Sequence, residues 1–180
     1  VMALIEFNGW FLDSKLDRAT YQLAKKDLVL ATLGEAIRGH LITAPVLGYV
    51  VLYPLMKSFG SPAFDAPLPP ATSLYFSFML AIFCNDVGFY WAHRCFHCKA
   101  LYGRFHKQHH EWKGTVSYAA EYAHPLEHIF ANYVPTLLGC CVGGAHFWVL
   151  CVWLTSRLKD TYEAHSGYAF RNPLLNAVGL

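Results

Sequence analysis

Charged residues are scarce in this sequence. Asp, Glu, Lys and Arg make up 14% of the 180 residues, against about a quarter in a typical soluble domain. Hydrophobic residues make up 55%, so the deficit of charge predicts a surface that largely faces lipid. The formal net charge of +2 is too small to indicate a nucleic-acid partner, and no array of basic and aromatic residues accompanies it.

Other chemical signatures are missing as well. The sequence has no phosphate-binding loop, no dinucleotide fingerprint and no serine nucleophile elbow. No basic stretch leads into a short apolar core, so a cleavable signal pattern is absent. Because the chain begins at Val1 rather than at Met, we expect an upstream piece to be missing.

The cysteines do not form a disulfide pattern. Most of the six lie inside or beside apolar runs, which predicts that they are reduced. Cys95 and Cys98 have the Cys-x-x-Cys spacing of zinc and redox sites, but His93 and His97 interleave with them on a predicted helix. No second pair of this kind exists, so a metal or redox role for these thiols is disfavoured.

Uncharged runs predict membrane segments. Residues 41–56 are short for a span, which needs about 20 apolar residues, so this run would tilt or re-enter the bilayer. Residues 71–85 continue past Asp86 to His93 as a second span. A carboxylate inside a membrane helix is costly, and Asp86 is therefore expected to have a polar partner.

A third uncharged run covers residues 129–156, and the loop at 60–70 is rich in Gly and Pro. The run is longer than one crossing of a bilayer core requires. Pro135 and the pair Gly143-Gly144 predict either a hairpin of two half-helices or one broken span.

These features predict an all-α fold: a multi-span membrane helical bundle with a cytosolic, histidine-rich metal-binding cap. Residues 1–40 are predicted to be an interfacial or soluble segment with a helix at 17–38, and residues 41–180 a membrane-embedded domain. Between residues 93 and 113 there are five Lys and Arg residues against one acid, Glu111. The positive-inside rule therefore places this block in the cytosol.

The histidines are clustered at helical spacing. His93 and His97 are four residues apart, and so are His124 and His128; "HKQHH" (106–110) places three more histidines at intervals of one to four residues. On a helix, residues three and four apart share a face. Imidazole is the commonest neutral metal ligand, so seven histidines within 36 residues favour a metal site over a purely structural role.

The number of histidines predicts two ions rather than one. A single zinc ion is satisfied by three or four protein ligands. The acids near the histidines are better placed to orient imidazoles than to bind metal; they are Glu111, Glu121, Glu127 and Glu163. We expect Asp86 or Glu121 to accept the outward N–H groups of the ligand imidazoles.

Four motifs carry a resemblance. "HRCFH" (93–97), "HKQHH" (106–110), "AEYAHPLEH" (120–128) and "EAHSGYAF" (163–170) resemble the fatty acid hydroxylase/sterol desaturase superfamily, and within it most closely the 4-methylsterol monooxygenases. The resemblance implies a membrane-bound, O2-dependent non-haem di-iron enzyme that oxidises a sterol methyl group. It also implies the endoplasmic reticulum membrane and electrons from a membrane-bound haem carrier reduced by an NAD(P)H reductase.

The resemblance also implies which residues bind metal. They are His93, His97, His106, His109, His110, His124 and His165. His128 is set apart as a further candidate, because close relatives need not have histidine at that position. Iron is the implied metal, and zinc can occupy imidazole sites as a substitute. His40 and His146 match no family motif, so we expect both to be structural.

Two departures leave alternatives open. After His-Ser-Gly-Tyr the chain reads "AFRNPLLN" (169–176) where the family has Phe-Pro-Trp or a similar turn, and it stops before the family's last His-x-x-His-His cluster. We expect the sequence to be a fragment. The alternatives are a fatty acid or sphingolipid hydroxylase, a sterol desaturase, or a non-catalytic membrane protein that keeps the fold.

Overall fold

The computed structural model of the protein describes residues 26–168. Within that range the chain forms helices joined by loops and turns, without a β-strand, which confirms the all-α prediction. We number the main helices α1 (Lys26–Ser58), α2 (Ala71–Phe96), α3 (Lys99–Leu101), α4 (125–142) and α5 (Phe147–Ser166). The predicted features at residues 1–25, and the sequence "AFRNPLLN", lie outside the described residues.

Prolines inside the helices coincide with wider turns. α1 has π-helical turns at Gly39–Thr43 and Gly48–Leu52, and α4 has one at His128–Tyr133. A proline follows two residues after each turn: Pro45, Pro54 and Pro135. Proline has no N–H for the carbonyl four residues earlier, and its ring crowds that carbonyl. The wider turn relieves the crowding, so α1 continues without a break past residue 40.

α1 and α2 are long and apolar enough to cross a membrane, by length and composition. Large apolar side chains point away from the fold on both helices: Leu41 is 71% exposed, Tyr49 79% and Phe76 68%. A continuous apolar surface of this kind is unfavourable in water and suits a lipid environment. The number of true spans and their orientation stay predictions.

α2 and α4 cross at very close range. A Cβ atom at Gly139 would lie 2.5 Å from Cα of Ala81, so only glycine fits at this point. Seven residues along α2, a Cβ at Gly88 would lie 3.1 Å from Cβ of Pro135. Small residues let helix backbones approach closely, which is how helices gain contact where lipid provides no hydrophobic driving force.

The third apolar run folds as two helices, so the hairpin alternative is the one that the structure has. α4 ends at Val142, and Gly144 lies in the left-handed region with φ +54°, where glycine is favoured. His146 then caps α5, because its Nδ1 accepts the backbone N–H of Trp148 at 3.2 Å. The turn sets α5 back across α2, where it carries His165 toward the other histidines.

The core lies where α2, α4 and α5 meet. Trp153 packs edge-on against Phe78, with ring centroids 5.8 Å apart, and donates its indole N–H to the carbonyl of Thr136 at 2.7 Å. Cys140 and Cys141 are buried beside it. All six cysteines are free thiols, as predicted.

Candidate metal centre

Four histidines from consecutive segments form a series of close Nε2 contacts, and we call them the histidine cluster. His93 lies in the last turn of α2 and His97 caps its C-terminus, while His106 and His110 follow in the turns after α3. The Nε2 atoms lie 3.1 Å apart between His93 and His97, 3.0 Å between His97 and His106, and 3.0 Å between His106 and His110.

Hydrogen bonds between imidazoles cannot satisfy this arrangement. A neutral ring nitrogen in the ring plane carries either one hydrogen or one lone pair. Nε2 of His97 and Nε2 of His106 each face two other Nε2 atoms. If Nε2 of His97 donates its hydrogen to Nε2 of His106, or the reverse, the donating nitrogen has no lone pair left to accept from its other histidine neighbour. Lone pairs directed at a shared cation remove the conflict, since no Nε2 hydrogen is then needed.

The spacing of the nitrogens also fits a metal ion. Two nitrogens about 2.1 Å from an ion, at right angles to each other, lie about 3.0 Å apart, close to the observed separations. The candidate ligand atoms of His93, His97 and His106 all lie within 4.8 Å of one another. Burial and the neighbouring His106 lower the pKa of His97 and of His110, so both rings are neutral near pH 7, as metal ligands must be.

A buried carboxylate contacts the cluster on the side of His106 that faces away from the other Nε2 atoms. Oε1 of Glu127 lies 2.8 Å from Nδ1 of His106, and both side chains are almost fully buried. Although these two atoms are close, neither Nδ1 of His106 nor Oε2 of Glu127 has a hydrogen-bond partner among the described residues. A carboxylate at this position favours a proton on Nδ1, which leaves the Nε2 lone pair of His106 for a metal.

His109 and His165 form a second pair beside the cluster, with ring centroids 5.4 Å apart. Nδ1 of His109 lies 3.3 Å from the carbonyl of Tyr122, and Nδ1 of His165 lies 2.8 Å from the carbonyl of Thr161. A carbonyl only accepts, so each Nδ1 is assigned the proton and each Nε2 the lone pair. Burial, followed by the nearby His165, lowers the pKa of His109 to about 3.

A cavity of about 190 Å³ lies between the two groups of histidines. His93 of the cluster borders it, together with His109, His165 and Glu127. Phe89 and three alanines make part of the wall apolar. The cavity therefore offers an apolar space directly beside candidate ligands from both groups.

His124 and His128 are placed differently from the expectation that they share a helix face. Nδ1 of His124 accepts the backbone N–H of Leu126 at 3.2 Å and so caps α4, and its ring packs on Phe105. Nε2 of His128 lies 3.0 Å from the carbonyl of Glu121, and its ring stacks on Tyr133. Three of the four motifs thus place histidines in the cluster or in the neighbouring pair, whereas His124 and His128 lie apart from both. A ligand role for His124 or His128 stays a prediction.

The acids predicted to orient the ligands have other partners. Asp86 accepts from the side-chain amide of Asn85 at 3.1 Å. Glu121 lies 3.2 Å from Nε2 of His40 and accepts from the hydroxyl of Tyr162, so it joins α1 to α5. Partnership of Asp86 or Glu121 with ligand imidazoles stays a prediction, whereas the contact that the structure provides comes from Glu127.

His40 and His146 have the contacts of structural residues. His40 ties α1 to the turn at Ser117–Glu121 through its contact with Glu121. His146 is buried, caps α5 and places its Nε2 3.1 Å from the carbonyl of Ala66 in the loop before α2.

The sequence was compared with known protein families, and the match covers the histidine cluster. The sequence model of the fatty acid hydroxylase family matches residues 78–178, which is more than half of the chain and includes every histidine of the cluster. The chain belongs to the fatty acid hydroxylase family. No solved structure matches it.

Curated relatives span several activities. The chain is 33% identical to the fatty acid hydroxylase ahd1 of Mycosarcoma maydis, over 72% of this chain and 34% of that protein. It is 36% identical to the very-long-chain aldehyde decarbonylase GL1-11 of Oryza sativa subsp. indica, over 72% and 47%. It is 30% identical to methylsterol monooxygenase 2-2 of Arabidopsis thaliana, over 94% and 64%. The chain thus spans between a third and two thirds of the length of these relatives.

Proposed function

We propose that this chain is the metal-binding part of a membrane-bound, O2-dependent non-haem di-iron monooxygenase that oxidises a sterol methyl group. The observation that carries the proposal is the series of three Nε2–Nε2 contacts of 3.0–3.1 Å among four histidines, beside a second pair of histidines with Nε2 lone pairs. Six imidazoles in two adjoining groups exceed what one ion needs and suit two.

The residues of this chain would divide the work as follows. His93, His97, His106 and His110 would hold one ion, and His109 with His165 would contribute to the other. Glu127 would fix the tautomer of His106, as carboxylates do behind ligand imidazoles. When bound, iron supplies the O2 activation and oxidising power that no side chain provides.

The cavity wall supports an apolar substrate. Phe89, Ala120, Ala123 and Ala164 line the space between the histidine groups. Their side chains offer no hydrogen bonds, so they exclude water and fit a hydrocarbon part of a lipid. The candidate spans α1 and α2 would place this cavity at the edge of a bilayer, from which a lipid can enter.

The relatives support a sterol methyl group without separating it from other lipid C–H bonds. A methylsterol monooxygenase matches along nearly the whole chain, and the motifs quoted above resemble that group most closely. A fatty acid or sphingolipid hydroxylase, or a sterol desaturase, is the alternative within the same chemistry, because a fatty acid hydroxylase matches at similar identity.

Electrons would come from other proteins. The sequence has no nucleotide-binding fingerprint, so a membrane-bound haem carrier and its NAD(P)H reductase would supply them. The basic residues beside the cluster would place it on the cytosolic face of the endoplasmic reticulum membrane; they are Arg94, Lys99, Arg104, Lys107 and Lys113.

Metal analysis and lipid profiling test the proposal. The purified full-length protein should carry close to two metal ions, either iron or zinc as a substitute, and His109→Ala or His110→Ala should abolish turnover. A knockout should accumulate methylsterols. Accumulation of non-hydroxylated fatty acids or sphingolipids instead would point to the alternative substrates. One ion per chain, with activity intact in both variants, would contradict the two-metal assignment, and no lipid change would favour a non-catalytic protein.

A further inference from the structure

A half-buried arginine, Arg157, lies outside the histidine groups. The carboxylates of Asp160 and Asp86 are near enough to interact with its charge, but neither is in contact with it. Nε of Arg157 donates to the side-chain oxygen of Asn85 at 3.1 Å, and Nη1 donates to the hydroxyl of Thr161. The guanidinium also lies over the ring of Phe89, 5.2 Å from its centroid. Within residues 26–168, no carboxylate makes an ion pair with it.

Arg157 stands where two cavities adjoin. The cavity beside the histidines and a second cavity of similar volume share four lining residues, which are Ala120, Asn132, Arg157 and Thr161. His40 and Ala44 of α1 border the second cavity. Because α1 is a candidate membrane helix with an outward apolar surface, the second cavity would adjoin the bilayer if α1 spans it.

One aromatic ring connects the arginine to the cluster. Phe89 stacks on His93, with centroids 5.3 Å apart and planes 30° apart, and the same ring contacts the guanidinium of Arg157. An occupant whose head group touched Arg157 would therefore lie beside the ring that packs on a candidate metal ligand. This places Arg157 within reach of the substrate but outside the ligand set.

The positive charge of Arg157 would be stabilised by an anion in contact with it. Guanidinium stays protonated in proteins, and removing it partly from water is unfavourable unless a counter-charge is in contact with it. Its hydrogen-bond partners Asn85 and Thr161 are neutral, and the carboxylates of Asp160 and Asp86 act on it only from beyond ion-pair distance. Glu127 lines the same cavity but is in contact with His106. The hydrogen bonds from Arg157 to described residues run from Nε and Nη1, so Nη2 remains available as a donor to a ligand in the cavity.

We propose that Arg157 binds a carboxylate group of the lipid that occupies these cavities. Arginine presents its donors in a planar fork that matches a carboxylate, and the adjoining apolar walls would accept the hydrocarbon part. The carboxylate belongs either to a fatty acid or to a sterol acid. The inference rests on the proposed function only in taking a lipid as the occupant.

Direct binding tests this without turnover. The purified full-length protein, with its metal as isolated and without an electron donor, is held in detergent and titrated with a long-chain fatty acid and with the alcohol of the same chain length. A second pair consists of a sterol carboxylic acid and the corresponding methylsterol. The wild-type protein should bind the acid of at least one pair about tenfold more tightly than its neutral partner, since a charged hydrogen bond to arginine is lost in the latter.

Variants then test whether Arg157 causes the preference for the acid over the neutral lipid. Arg157→Gln should abolish it while leaving the affinity for the neutral lipid unchanged, and Arg157→Lys should retain part of it. Lys159→Gln removes an exposed positive charge two residues along α5 and should change nothing. The pair that shows the preference identifies the source of the carboxylate.

Three results would overturn the inference: no acid preference in the wild type, a preference retained in Arg157→Gln, or equal weakening of acid and neutral lipid in that variant. If Arg157→Gln does not fold, the wild-type ratio and the Arg157→Lys variant still decide. A protein that shows the preference but has no oxidase activity would contradict the proposed function and leave this inference standing.

Discussion

Residues 93–97 and 124–128 share one sequence pattern, His-x-x-x-His, and have different structures. In the first segment the two Nε2 atoms meet at 3.1 Å. In the second, His124 caps a helix through its Nδ1 and His128 contacts the carbonyl of Glu121. Equal spacing therefore brought one pair of imidazoles together and left the other pair apart.

The cause is the residue after His124. Proline disfavours helical geometry in the residue before it, and His124 accordingly has φ −62° and ψ 142°, outside the helix that starts at Pro125. His97 still has right-handed helical angles at the end of α2. The rule that residues four apart share a face applies only where both residues are helical.

The largest expected effect comes from His106→Ala. Its Nε2 contacts both His97 and His110, and its Nδ1 faces Glu127, so the variant removes the middle of the cluster. We expect the full-length protein to lose most of its bound metal and all turnover. Elemental analysis and product assay measure the two effects.

His124→Ala is the matched comparison for that variant. It removes one imidazole from the other His-x-x-x-His segment, and we expect metal content to stay at the wild-type level. Equal loss of metal in both variants would show that His124 is a ligand, as the family resemblance implies, and that it moves when metal binds.

Glu127→Gln should have the next largest effect. Loss of a carboxylate behind a ligand imidazole weakens metal binding by about 10- to 100-fold. Chelator competition measures the change. Glu121→Gln is the control, because Glu121 contacts His40 and Tyr162 instead of the cluster. A larger loss of affinity in Glu121→Gln than in Glu127→Gln would reverse the assignment of the orienting acid.

The sequence predicted those features of the fold and the site that depend on residues close together in the chain. The hairpin at Gly143-Gly144, the loop at 60–70 and the convergence of "HRCFH" with "HKQHH" follow from turn residues and short spacings. Pro125 was also a readable signal, since the restriction on the residue before proline needs no structure. Applied to His124, it would have separated the two His-x-x-x-His segments.

Contacts between distant segments could not be predicted in the same way. Four acids lie near the histidines in sequence, and spacing alone does not separate Glu127 from Glu121. The choice depends on the turn at Ser117–Glu121 and on how α4 packs under the cluster. The position of Arg157 depends likewise on the hairpin that lays α5 against Asn85 of α2.

His146→Ala extends the comparison to a second capping histidine. His146 caps α5 as His124 caps α4, but it is buried and also contacts the carbonyl of Ala66. Loss of a cap costs about 1 kcal/mol, and the unpartnered carbonyl adds about 1–3 kcal/mol. We expect the variant to lower thermal stability in detergent clearly, with metal affinity of the folded fraction unchanged. A loss of affinity at unchanged stability would contradict the structural role.

The smallest expected effect is the stability change in the His124 variants, and it separates capping from metal binding. Asn accepts a backbone N–H at the N-cap as imidazole does here, whereas Ala cannot. His124→Ala should therefore lower the free energy of unfolding by about 1 kcal/mol, and His124→Asn should restore most of it. Thermal unfolding curves of the two variants, recorded on metal-free protein, measure the difference. If His124→Ala is as stable as the wild type without metal but less stable with metal, the cap contributes nothing and His124 acts through the ion. Equal destabilisation with and without metal, rescued by Asn, would establish that His124 acts as a helix cap and not through the ion.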